Sequence, residues 1–206
     1  ALLETQNSGK GQVIDAAMTD GSSLLMTMMY SMHRSGFWNL ERQTNLLDGA
    51  AHFYDTYECK DGKYVSIGSI EPQFYALLCE KAELSLDDFR DQMKRDTWQN
   101  KKQLIKNVFL TKTREEWCDL MEGSDVCFAP VLDMSEAPMH PHNIARQTFI
   151  EIEGVTQPAP APRFDRTQNE ITLPPAIAGE HSKEILESLG IDGDEYDRLI
   201  SSGSIA

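Results

Sequence analysis

Within FYDTYECKDGKY (53–64), two carboxylates, Asp55 and Glu58, stand among the rings of Phe53, Tyr54 and Tyr57, just ahead of the turn signal Asp61-Gly62. Carboxylates are rarely placed among apolar side chains without a partner. A site that handles protons is one reason to put one there. In a strand, successive side chains point to opposite faces. Asp55, Tyr57 and Cys59 then share one face, and Tyr54, Thr56 and Glu58 the other. Glu58 is the candidate proton-handling group, although spacing alone also fits a solvated strand carboxylate.

The other residues able to do chemistry are scattered. The histidines are His33, His52, His140, His142 and His181. No pair has i,i+4 spacing with an acidic neighbour, as in H-E-x-x-H, and His140-Pro141-His142 reads as a surface loop. The cysteines Cys59, Cys79, Cys118 and Cys127 form neither C-x-x-C nor a zinc spacing. We expect reduced, mostly buried thiols in a reducing, intracellular compartment, and no metal site. No G-x-S-x-G, Walker loop or G-x-G-x-x-G occurs, so hydrolase, NTPase and dinucleotide readings lose their main support. Met18, Met26, Met28, Met29 and Met32 cluster in one short stretch. A single methionine packs a core. A surface of flexible, polarizable thioethers can also accept a floppy acyl chain in several poses.

Composition narrows the partners. The 206 residues are 40% apolar and 25% charged, with a net charge of −14. That is a globular composition, enough for one large domain or two small ones. The negative charge argues against nucleic acid and against anionic membrane surfaces. It leaves room for a phosphorylated small molecule, because local Lys and Arg can bind one. The longest apolar run is too short to cross a bilayer.

The elements that must position these residues are legible in order. The start reads as a helix end, a Gly turn and a short strand over Gln12–Ala16. A helix follows over 19–33, capped by Thr19 or Asp20 and ended at Ser35-Gly36. Residues 52–58 and 63–70 form a hairpin across Lys60-Asp61-Gly62. Glu71-Pro72 opens a helix with Pro in its first turn. Two further helices are expected over 85–95 and 99–110, and another after Thr113, with Glu116 completing a capping box. Val126–Leu132 reads as a strand in which Pro130 demands an edge or a strand end. From Pro138 the chain is Pro-rich around one short strand, FIEIEG, and ends in helices over 182–190 and 194–202.

Several blocks resemble family III CoA-transferases, in particular their α-methylacyl-CoA racemase branch: GKGQVIDAAMTDGSSLL (9–25), LLDGAAHFYDTYECKDGKYVSIGSIEPQFYALL (46–78), CFAPVLDMSEAP (127–138), RQTF (146–149), PAPRF (160–164) and GEHSKEILESLG (179–190). Transferases of the family tend to carry a Gly-rich loop where this chain has EPQF, which favours the racemase branch. The resemblance implies an α/β fold in three parts: a strand and long linker helix leaving a Rossmann-like large domain (1–42), a small α+β domain with an antiparallel hairpin (43–132), and a return linker with C-terminal helices of the large domain (133–206). It implies a C-terminal portion of a longer protein, since the family's catalytic His and Asp have no counterpart here.

The family's third catalytic residue, a Glu, maps onto Glu58. The implied substrate is a 2-methyl-branched acyl-CoA thioester. The methionines 18, 26, 28, 29 and 32, with Tyr57, would contact its acyl part. The implied cofactor is none, coenzyme A being part of the substrate, and the implied partner is a second copy in an interlocked homodimer. The compartment would be mitochondrial or peroxisomal in a eukaryote and cytoplasmic in a bacterium. Two rivals accompany this reading: a CoA transferase, and an inactive dimerisation or acyl-CoA-binding fragment.

Overall fold

The computed structural model describes residues 1–85, 87–171 and 173–205. The chain divides into two compact units, Ala1–Val131 and the residues from Leu132 on. Helices and antiparallel strands alternate in the α/β manner expected.

The first unit opens with three short helices, α1 (Leu2–Ser8), α2 (Met18–Leu25) and α3 (Thr27–Arg34). The strand expected over Gln12–Ala16 does not form. The segment is irregular, and Val13 is 98% exposed. A strand needs a neighbour for its backbone donors and acceptors, and no described strand pairs with this segment. The single helix over 19–33 is instead two, broken at Met26. Gly21, Ser22 and Ser23 weaken the helix there. The Thr27 hydroxyl also donates back to the Leu24 carbonyl (2.6 Å), a local bond that competes with regular helix. Extended Ala17, not Thr19 or Asp20, occupies the N-cap.

The hairpin forms as its alternation demands. β1 (Tyr54–Glu58) pairs antiparallel with β2 (Tyr64–Gly68). α4 (Pro72–Lys81) then starts with Pro72 in its first turn. No helix forms over 85–95. Leu86 lies outside the described residues, and its neighbours are turns, with Asp91 at φ 54°. A left-handed residue cannot continue a right-handed helix. One 3-10 turn, Arg95–Thr97, leads into α5 (Trp98–Phe109). α6 (Arg114–Met121) carries the expected capping box: the Thr113 hydroxyl accepts from the Glu116 N–H, and the Glu116 carboxylate accepts from the Thr113 N–H (2.8 Å). β3 (Phe128–Val131) completes a sheet of order β1-β2-β3. Pro130 thus sits on an edge strand, where its missing N–H costs no ladder bond.

The core lies beneath this sheet. Tyr57, Cys59, Val65 and Ile67 on its inner face meet Tyr75, Leu78 and Cys79 of α4, Trp98, Ile105 and Phe109 of α5, and Trp117 and Met121 of α6. Each such large side chain stabilises the fold by about 1.5–3 kcal/mol when fully buried. Among the described residues, every buried one lies between Asn45 and Val126.

The second unit begins with a 3-10 turn, Ala137–Met139, and α7 (Pro141–Ala145). β4 (Phe149–Ile152) and β5 (Val155–Pro158) then pair antiparallel. The single strand FIEIEG is therefore half of a hairpin. Its turn, Glu153-Gly154, has positive φ at both positions, the geometry of a two-residue type I′ turn. A Pro-rich irregular stretch leads to α8 (Ser182–Ser188) and α9 (Gly193–Ser201), where Asp192 caps by accepting from the Glu195 N–H (2.8 Å). No described helix is long and apolar enough to cross a membrane.

Candidate functional site

Glu58 is the last residue of β1, paired across the ladder with Tyr64 and half-buried. Its two neighbours are locked into the core. Tyr57 is 3% exposed and Cys59 1% exposed. The Tyr57 hydroxyl donates to the His52 carbonyl (2.7 Å), and its ring stacks on Phe109 at 5.2 Å between centroids. Burial, helped by the Asp55 charge, drives the Tyr57 phenol well above its ordinary range, so it is a permanent donor. Beyond Glu58 the strand closes tightly. The Cys59 N–H donates to the Lys63 carbonyl (2.7 Å), and Gly62 takes φ 76° in the turn.

The inner face is tethered at Asp55 too. One carboxylate oxygen accepts from the Thr56 N–H (2.8 Å), and the other pairs with the Lys102 ammonium, which also donates to the Gly49 carbonyl. Asp55, Tyr57 and Cys59 thus hold the strand from below, while Tyr54, Thr56 and Glu58 face outward, as alternation requires. A shallow groove of about 420 Å³ crosses the outer surface beside Tyr54, Thr56, Ser66, Gly68 and Ala129.

Two buried polar groups lie beneath the hairpin. His52 is fully buried. The Tyr75 hydroxyl donates to the Phe89 carbonyl (3.0 Å), so it accepts from His52 Nε2–H (2.7 Å). Nδ1 is then a bare lone pair with no hydrogen-bond partner. Burial, followed by the Lys101 charge, pushes this imidazole down to about 3, and it is neutral at physiological pH. Lys101 is only 4% exposed and donates to the Arg90 and Asp91 carbonyls. Burial lowers its pKa. Sequence reasoning missed this layer. The available signal was Lys101 sharing the helical face of Trp98, Ile105 and Phe109. Both groups hold backbone in place and face no groove.

The remaining candidates lie apart from Glu58. Met18, Met26 and Met28 are exposed on or between α2 and α3, and Met29 and Met32 are half-buried. None joins the core. Tyr57 belongs to the core, with its hydroxyl already committed to His52. The four cysteines are free thiols; Cys59 and Cys79 are buried, Cys118 is half-buried and Cys127 is exposed. Burial raises the Cys59 and Cys118 thiols to about 11, which keeps them protonated and unreactive.

Comparison with known proteins places this arrangement. The chain is 38% identical over its whole length to the α-methylacyl-CoA racemase of Mus musculus. It is 27% identical over 99% of its length to the succinyl-CoA:glutarate CoA-transferase of the same species. It spans about half of each: 56% of the racemase and 49% of the transferase. The fold matches the crystal structure of Rv3272 from M. tuberculosis with a TM-score of 0.65, at 20% identity, over 89% of this chain and 48% of that one. The description "CoA-transferase family III" matches residues 1–182, so that both the Glu58 hairpin and the methionine-bearing helices fall within the match, and the chain belongs to that family.

Proposed function

We propose that this chain is the C-terminal portion of an α-methylacyl-CoA racemase, which epimerises 2-methyl-branched acyl-CoA thioesters. Racemisation removes the proton from the carbon next to the thioester and returns one to the opposite face. It needs two acid/base groups, one per face, with pKa values near working pH. The enolate between the two steps needs preorganised donors at its oxygen. Glu58 is not itself the base in this reading. It accepts a hydrogen bond from an imidazole that another stretch of polypeptide supplies, which fixes the ring's tautomer and favours its protonated form.

The single observation that carries the reading is the seat of Glu58: a half-buried carboxylate, held between two core residues, on the outward face of a rigid hairpin. The methionines 18, 26, 28, 29 and 32 line the acyl path, where flexible thioethers suit a branched chain. The partner is a second copy of the protein, interlocked with the first. No metal and no redox cofactor takes part, coenzyme A being carried by the substrate.

The test is exchange of the α-proton in heavy water by the full-length protein. Glu58→Gln is expected to lower the exchange rate by at least about a hundredfold, because the imidazole loses its charged partner. Exchange at the unaltered rate would remove Glu58 from the mechanism. Similarity to a CoA transferase supports a second reading, transfer of CoA between carboxylic acids through an acyl-enzyme. Hydroxylamine separates the two, since it traps the mixed anhydride of a transferase and finds none in a racemase.

A further inference from the structure

Glu58 stands one residue from Tyr57, and adjacent strand residues project to opposite faces. Whatever fixes the roll of the strand at 57 therefore fixes the direction in which 58 projects. Two contacts fix it. The phenol donates to the His52 carbonyl at 2.7 Å, and the ring lies on Phe109 at 21° between planes. The His52 side is itself immobile, because that ring is bonded to Tyr75 and fully buried. On the outer face, by contrast, Tyr54 and Thr56 are exposed and offer no comparable tether.

We infer that Tyr57 is a positioning residue, whose buried hydroxyl aims the Glu58 carboxylate through the strand without touching substrate. This rests on the racemase reading above and deepens it. The hydroxyl is more than a generic contribution to stability because of its place in the ladder. Removing it frees the roll of β1 directly beneath the carboxylate. Small misplacements of a positioned group cost rate far more than they cost stability.

The experiment compares three variants of the full-length protein by α-proton exchange. Tyr57→Phe keeps the ring stack and deletes only the bond to His52. Ser69→Ala is the control. It deletes a buried hydroxyl that likewise donates to a backbone carbonyl, that of Val126, but just past the opposite end of β2. Tyr57→Phe is expected to lower kcat about tenfold with KM unchanged. Its acid limb should move to lower pH, because a mis-aimed carboxylate favours the imidazolium less. Ser69→Ala is expected to lose similar thermal stability while keeping kcat.

Tyr57→Phe within twofold of the unaltered kcat, while Glu58→Gln is inactive, overturns this inference and leaves the proposed function standing. Ser69→Ala losing as much activity as Tyr57→Phe also overturns it, because general loosening then explains both. Unaltered exchange by Glu58→Gln overturns the function and this inference together. Phe109→Leu loosens the same tyrosine from its other side and should shift the acid limb in the same direction. If Tyr57→Phe yields no folded protein, an unmoved limb in Phe109→Leu is the overturning result.

Discussion

Residues 45–126 and residues 1–44 carry similar apolar patterning to opposite ends. In the later segment, alternation in β1 and β2 and helical spacing in α5 deliver a closed core, with Phe53, Val65, Ile105 and Phe109 wholly buried. In the earlier one, α2 and α3 also recur at helical spacing, yet no residue of 1–44 is buried, and Leu24 and Leu25 are 74% and 86% exposed. Periodicity records that a face must be covered. It does not record what covers it. In the core, the covering elements are neighbours in the same segment. For α2 and α3, no described element of this chain performs that role.

The sharpest way to break the contrast is to remove a core ring. Trp117 is 1% exposed, meets Phe109 edge-on at 4.9 Å between centroids, and donates its indole N–H to the Phe109 carbonyl (2.9 Å). Trp117→Ala leaves a cavity under the stack that holds Tyr57. The expected loss is about 3–5 kcal/mol, read from the midpoint of urea unfolding. A loss below about 1 kcal/mol would mean that the core closes without this ring.

Next in size is the pH response of the buried imidazole. His52 has a folded-state pKa near 3, against about 6.5 for an unperturbed histidine. The unfolded chain thus binds the extra proton first. Stability from this residue is complete above about 6.5 and is lost as pH falls toward 3, with a slope approaching about 1.4 kcal/mol per pH unit. His52→Phe removes the titrating group and keeps an aromatic side chain among Phe53, Tyr75 and Phe89. It is expected to flatten that part of the stability-versus-pH curve, measured by urea unfolding across pH 4–7. An unchanged slope would assign the acid response to other groups.

These cases show why parts of the molecule were readable in advance. The hairpin, the Pro72 start of α4, the Thr113–Glu116 capping box and the edge placement of Pro130 are set by local chemistry: alternation, a fixed φ, a side-chain cap, a missing donor. The failures have a common cause in non-local partners. Gln12–Ala16 alternates like a strand but has no strand beside it. Residues around 85–95 space like a helix, yet Asp91 turns left-handed where Lys101 reaches the Arg90 and Asp91 carbonyls. At the site, the outward face of Glu58 was legible from period two. The burial of His52 and Lys101 was not, because a polar residue enters a core only when distant groups satisfy it. Tyr57 was read as a contact for substrate from its neighbourhood in sequence. Its commitment to a carbonyl five residues back is a tertiary fact.

The smallest expected effect returns to the exposed helices. Leu25 ends α2, 86% exposed. In the 206-residue chain, Leu25→Ala removes apolar surface that water already touches, and alanine is a slightly better helix former. The expected change in unfolding free energy is within about 0.5 kcal/mol. The same substitution in full-length protein is the informative comparison. If acyl chains and a second copy cover α2 and α3, Leu25→Ala there costs about 2–3 kcal/mol or raises KM for long acyl chains, because a covered leucine is worth far more than a wet one. Equal, negligible effects in both proteins would mean that this apolar face stays open to water. The methionines beside it would then have no acyl path to line, and the contrast between the two segments would reflect surface composition alone.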